Sequence, residues 1–142
     1  MKIAIGCDHA AYDVKNKIKK LLNSFDYEVV DLGTDNGDSV DYPIYGHAVA
    51  RKVAKKEVDK GIVICGSGIG ISIAANKVKG IRAALCTTVS HAELSRKHNN
   101  SNILALGARL TEYSKIESIV KIWLETQFEG GRHLERIKMI EL

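Results

Sequence analysis

A chain of 142 residues, 45% hydrophobic and 27% charged, is sized for one globular domain and can bury roughly 68–70% of its unfolded surface without a disulfide or metal staple. Its net charge of +4 favours anionic ligands in general, but the lysines are scattered and no basic-and-aromatic platform accompanies them, so no nucleic-acid partner is expected. Three cysteines without a CxxC pair argue against a disulfide framework or a zinc site and suit a reducing cytosol, and no apolar run reaches the ~18 residues of a membrane span.

Lys2 leads straight into the strand-like run Ile3-Ala4-Ile5, so no signal peptide is expected and the protein is placed in the cytoplasm. That strand ends at Gly6. Ala11, Val14, Ile18, Leu21 and Leu22 then recur at helical spacing. Val29, Val30 and Leu32 predict a second strand closed by Gly33, and the polar stretch from Thr34 to Asp41 predicts a loop. Pro43 fits the first turn of a helix carrying Tyr45, Ala48, Val49 and Val53. Ile62 to Cys65 predict a third strand. The run Gly66-Ser67-Gly68-Ile69-Gly70 breaks it, and a short helix through Ala74 and Ala75 follows. Ile81 to Cys86 predict a fourth strand, and Ser90 with Glu93 predicts a capping box on the next helix. Ile103 to Leu106 predict a fifth strand. Ile116, Ile119, Val120, Trp123 and Leu124 form one helical stripe. Gly130-Gly131 is expected to end that helix, with a last short helix from near Arg132.

Alternation of fully apolar strands with helices predicts an α/β fold: a single-domain, Rossmann-like three-layer sandwich over residues 1–142, with a five-stranded parallel sheet covered on both faces. Ligands of such folds sit beyond the carboxyl ends of the strands. Cys7-Asp8-His9, Cys65 with its glycines, and Gly107-Ala108-Arg109 all follow predicted strands.

The glycine loop can turn its N–H groups toward one point, and the following helix adds its positive end. Such a nest binds a phosphate or the oxyanion of a reacting carbonyl. It is equally readable as a tight strand-to-helix turn. Ile71 stands where a dinucleotide fingerprint needs its third glycine, and the P-loop lysine is missing. Cys65, immediately before the nest, is placed to become a thiolate nucleophile or base, whereas Cys86 and Cys7 read as buried strand thiols. Ser67 offers a hydroxyl that donates and accepts, or a helix cap. His98 with Asn99 can do proton chemistry or simply end a helix. Asp8 and His9 pose the same choice between turn formers and ligand contacts. His47 and His91 read as surface residues, and the five histidines show no metal-ligand spacing. Arg132 and Arg136 share a helix face and make either a phosphate clamp or a solvated basic face.

Read together, these segments resemble B-type ribose-5-phosphate isomerase along essentially the whole chain. The resemblance runs through Ile5 to His9, Asp41-Tyr42-Pro43, Ile64 to Lys77, Gly80 to Ala83, Leu94 to Asn99, Asn102 to Arg109, and Glu129 to His133 with Arg136. One branch of that family uses the cysteine before the glycine loop as its base; the other uses a glutamate after it. Cys65 is present and Ile71 fills the glutamate's place, so the chain resembles the cysteine branch. The resemblance implies that Cys65 moves the proton between C1 and C2, His98 assists furanose opening, and Ser67 helps move protons between the sugar oxygens. The backbone of Gly66, Gly68, Ile69 and Gly70 would hold the enediolate. Asp8, His9, Tyr42, Asn99 and Arg109 would line the site, with Arg132, Arg136 and His9 on the phosphate. It implies no metal and no cofactor. It implies homodimers, possibly paired into tetramers, whose sites take His98, Asn99 and Arg109 from the neighbouring chain. A catalytic subunit of galactose-6-phosphate isomerase, an allose-6-phosphate isomerase and a non-catalytic sugar-phosphate sensor are the rival readings.

Overall fold

The computed structural model describes residues 1–142. Five strands and six α-helices alternate along it: β1 (Lys2–Cys7), a 3-10 turn (His9–Ala11), α1 (Tyr12–Ser24), β2 (Glu28–Asp31), α2 (Tyr42–Ala54), β3 (Lys60–Cys65), α3 (Ile69–Asn76), β4 (Ala83–Leu85), α4 (Val89–Lys97), β5 (Ile103–Gly107), α5 (Tyr113–Glu125) and α6 (Arg132–Ile140). All neighbouring strands are parallel, in the order β2-β1-β3-β5-β4. The register aligns Cys7 with Ile64 and Cys65 with Gly107, so β1, β3 and β5 end level with one another. The Rossmann-like five-stranded parallel sheet expected from the sequence is the one observed.

The pleat sorts the strand residues into two cores, because successive side chains leave opposite faces. Ile3, Ile5, Ile62, Ile64, Leu104 and Leu106 pack with Ile18, Leu22, Ala92, Ile116, Ile119 and Trp123 of α1, α4 and α5. Ala4, Val63, Cys65, Ile103 and Ala105 pack with Val49, Ala50, Val53, Ile71 and Ala75 of α2 and α3. Fully burying a side chain of the Ile or Leu kind contributes ~1.5–3 kcal/mol. The second layer is tight: a Cβ at Gly61 would stand 2.5 Å from Val49 Cγ1. Trp123 is fully buried and its indole N–H donates to Ser101 Oγ at 2.8 Å.

Three boundaries differ from the sequence reading. β4 spans only Ala83–Leu85 at the sheet edge. The chain therefore turns early, and Thr88 caps α4: its Oγ1 accepts from His91 N at 3.0 Å. Ser90 falls inside the first turn, and Glu93 pairs with Lys97 instead. α5 stops at Glu125, where Thr126 turns to extended backbone. Gly130 and Gly131, at φ of 70° and 58°, start α6 rather than end α5, because the intervening segment runs beneath α4, with Glu129 N donating to Lys97 O at 3.1 Å.

Candidate active site

Strand order reverses direction between β1 and β3, whose chain continuations leave toward opposite edges of the sheet. Such a switch point opens a crevice at the carboxyl ends of the strands. Asp8 and His9 follow β1 on one side; Cys65 ends β3 on the other. Asp8 is buried, and its Oδ1 accepts from Ala10 N at 3.0 Å, capping the 3-10 turn. His9 Nδ1 accepts from Val40 N at 3.1 Å. In the neutral ring that bond leaves the proton on Nε2, which becomes the free donor.

Cys65 Sγ accepts from Gly68 N at 3.1 Å. Gly68 sits at φ 80° as the residue that starts α3, which is how one turn of backbone points an amide back at the sulfur. A Cβ at Gly68 would also lie 2.9 Å from Leu106 O. Negative charge on that sulfur would be met by the amide and by the positive end of α3. Cys65 is 5% exposed, against 0% for Cys7 and 1% for Cys86. Burial pushes the Cys7 and Cys86 thiols up to about 11, so these two stay protonated in the core. Ser67 Oγ accepts from Ile69 N at 3.2 Å. The Tyr42 ring lies over Gly70, where a Cβ would stand 2.6 Å from it.

The loop after β5 leans on the same nest. Ala108 N donates to Cys65 O and Arg109 N to Gly66 O, each at 2.9 Å. A side chain at Gly107 would collide with the Ser67 backbone, and Arg109 Cδ lies 3.3 Å from where a Gly66 Cβ would be. Arg109 therefore stands at the mouth of its own chain's Cys65. β5 is the hydrogen-bonded neighbour of β3, so their exit loops share one end.

His98, Asn99, Arg132 and Arg136 lie elsewhere. In a parallel sheet each helix returns the chain to the amino end. His98 follows the last residue of α4, with its N–H donating to Leu94 O at 2.9 Å. Asn99 O accepts from Arg82 Nε at 3.0 Å, just before β4 starts. α6 packs at the same end, where Arg82 and Glu141 form an ion pair of 2.5 Å. Arg132 and Arg136 are exposed on it. A hollow of about 660 Å³ runs along this end beside β4, lined among others by Asn76, Arg82, Asn99 and Glu141. It does not reach Cys65. One chain thus carries Cys65, the glycine loop, His9 and Arg109 at the carboxyl end, and His98, Arg132 and Arg136 at the amino end.

Two arrangements escaped the sequence reading. Lys15 is 1% exposed, donating to Thr34 O at 2.5 Å and Asp31 Oδ1 at 2.9 Å, while Lys19 reaches Asp31 Oδ2 at 2.6 Å. Partial burial pushes the Asp31 carboxyl up, but the two lysines outweigh it and hold it below the ordinary carboxylate range. This cluster anchors the loop that supplies Val40 to His9. The second arrangement joins His98 to His133, with stacked rings 4.3 Å apart, and His133 to Glu129, with Nε2 and Oε2 at 3.4 Å. Histidine spacing along the chain gave no sign of it, because His98 and His133 meet only through the return of α5.

The family described as Ribose/Galactose Isomerase matches residues 3–140. The chain belongs to that family. It is 49% identical to ribose-5-phosphate isomerase B of Escherichia coli strain K12, covering 98% of this chain and 93% of that protein. It is 44% identical to galactose-6-phosphate isomerase subunit LacB of Clostridium acetobutylicum, covering 96% of this chain and 79% of that one. The solved structure of Clostridium thermocellum ribose-5-phosphate isomerase B superposes with a TM-score of 0.98 at 53% identity, covering 99% and 95% of the two chains. The match to the Clostridium thermocellum enzyme extends to the whole sheet and the helices on both its faces.

Proposed function

We propose that the chain is an aldose–ketose isomerase that interconverts ribose 5-phosphate and ribulose 5-phosphate, acting as one domain over residues 1–142 and as a homodimer in the cytoplasm. The observation that carries this reading is Cys65 Sγ, the least buried of the three thiols, with an amide 3.1 Å away, in a chain 49% identical to a ribose-5-phosphate isomerase B.

The chemistry follows from what each group can do. Cys65, as thiolate, takes the proton from C2 of the open-chain aldose and returns it to C1. The C2–H electron pair moves into an enediolate, whose oxygen charge is received by the N–H groups of Gly66 to Gly70. Ser67 passes a proton between the two sugar oxygens. Asp8, His9, Tyr42 and Arg109 orient the sugar from the same end of the chain. His98 and Asn99 of a second copy complete the site: that His98 opens the furanose ring, while Arg132 and Arg136 of the same copy clamp the phosphate with their planar forks. Seating the amino end of one copy against the carboxyl end of another, reciprocally, makes a two-fold dimer with two equal sites.

A six-carbon reading draws support from the 44% identity to the galactose-6-phosphate isomerase subunit; it changes the length of the sugar, not the chemistry. A coupled assay on the purified chain alone, offering ribose 5-phosphate, allose 6-phosphate and galactose 6-phosphate, separates the readings. Highest kcat/KM on ribose 5-phosphate is expected. Turnover only after adding a second, different subunit would replace it with the galactose reading, and binding without turnover of any of the three would make the chain a sensor.

A further inference from the structure

The stacked histidines at the amino end have a third neighbour. Nitrogen and oxygen donors of His98, Glu129 and His133 all lie within 4.8 Å of one another. The 3.4 Å between His133 Nε2 and Glu129 Oε2 is long for a hydrogen bond, whose N···O distance is typically ~2.7–3.2 Å. It is the separation two donors have across one edge of a tetrahedral ion, roughly 3.3–3.6 Å for bonds of ~2.0–2.2 Å. Lys97 is near enough to Glu129 to feel its charge but is ion-paired with Glu93, and the group in ion-pair contact with Glu129 is His133.

The backbone under the three donors is fixed. Glu129 N donates to Lys97 O at 3.1 Å and His133 N to Gly130 O at 3.2 Å. Arg96 Nε donates to Thr126 O at 3.3 Å. His133 is buried, with 8% of its side chain exposed, while Glu129 is half-exposed. An ion would therefore meet one rigid donor, one that can swing in from solvent, and a partly buried His98 ring that has to turn out of its stack on His133 to aim a nitrogen at the same point. Two imidazoles and one carboxylate, with a fourth position open to water, suit a first-row divalent ion that accepts nitrogen donors, and do not suit magnesium or calcium.

We propose that His98, Glu129 and His133 form a binding site for a divalent transition-metal ion, with Zn²⁺ as the probe, and that its occupancy inhibits the isomerase by tying up His98. The inhibitory half rests on the role given to His98 under the proposed function; the binding half does not.

The test uses the full-length protein stripped with a chelator and dialysed against Zn²⁺. One ion per chain is expected. Glu129→Gln and His133→Ala are each expected to weaken it by at least ~10-fold, since loss even of a supporting partner beyond the ligands costs about 10–100-fold. Cys65→Ser is expected to bind as the parent does. Unchanged affinity in Glu129→Gln, loss of the ion in Cys65→Ser alone, or no stoichiometric ion in the parent would overturn the site. Glu129→Gln keeps the test decisive if His133→Ala fails to fold, because that carboxylate is half in solvent. Turnover is then expected to fall as Zn²⁺ is added, to return with chelator, and to resist Zn²⁺ in Glu129→Gln. Stoichiometric binding with turnover unchanged would overturn the inhibitory half and count against His98 as the ring-opening group. Absent binding beside a His98→Ala variant that still loses turnover would sink the metal site and leave the isomerase reading standing.

Discussion

At the carboxyl end of the sheet, side chains are held by backbone: Gly68 N on Cys65 Sγ, Ile69 N on Ser67 Oγ, Ala10 N on Asp8, Val40 N on His9. At the amino end they are held by one another, His98 on His133, His133 by Glu129, Arg82 by Glu141. The first kind of support fixes groups that must meet developing charge without reorganising. The second leaves Arg132 and Arg136 exposed on a terminal helix, free to fold around a phosphate. The thiol stands at one end and the paired guanidinium groups of Arg132 and Arg136 at the other. That separation is the strongest physical reason to place the working site between two copies of the chain.

The comparison can be broken at either end, and the largest effect is expected at the sulfur. Cys65→Ala should lower kcat by about 10²–10⁴-fold, the range for loss of a positioned proton-transfer group, while circular dichroism and the melting temperature stay near the parent values. Near-full turnover would remove Cys65 from the mechanism.

Stability comes next. Asp31→Ala strands Lys15, which is 1% exposed, and breaking a buried pair from one side costs about 3–5 kcal/mol; urea denaturation should show a loss near the lower figure, since Asp31 keeps 22% side-chain exposure. The sign with pH follows. The folded carboxyl lies below its ordinary 3.8, so the unfolded chain binds the proton first as pH falls. The contribution is complete well above that value and is lost as pH drops through the folded one. The parent should lose stability on acidification below about pH 4 more steeply than Asp31→Ala. Equal acid slopes would show that the lysines do not hold the carboxylate.

The smallest effect is expected at the amino end. Arg136→Ala removes one charge-assisted fork from the phosphate, a loss of ~1.5–3 kcal/mol that should appear as an increase of about tenfold or more in KM with kcat little changed. A change confined to kcat would take Arg136 off the phosphate.

How much of this was legible in the sequence depended on whether one residue's backbone decided the outcome. The turn after β3 was legible because Gly68 sits at positive φ, with the Leu106 backbone too close for a side chain. The central strands β1, β3 and β5 were legible because strands buried on both faces read as unbroken apolar runs. Lys15 was not: it falls on the buried stripe with Ala11, Ile18 and Leu22, and counting apolar positions passes over a lysine whose charge is neutralised by a residue from another strand. The α4 cap was misplaced because Thr88 and Ser90 are both good caps, and only the short pairing of β4 decides between them. The closeness of Arg109 to Gly66 within one chain was not legible, because strand order, which puts β5 next to β3, is not written in any local pattern.

Subunit complementation bears most directly on a site assembled from opposite ends of two copies. Cys65→Ala and His98→Ala, each nearly inactive alone, are co-refolded in equal amounts. Random pairing makes half the dimers mixed, each with one site that has both groups intact, so about a quarter of the parent activity should return. Activity staying at the level of the two separate variants, with mixed dimers verified by mass spectrometry, would contradict the account.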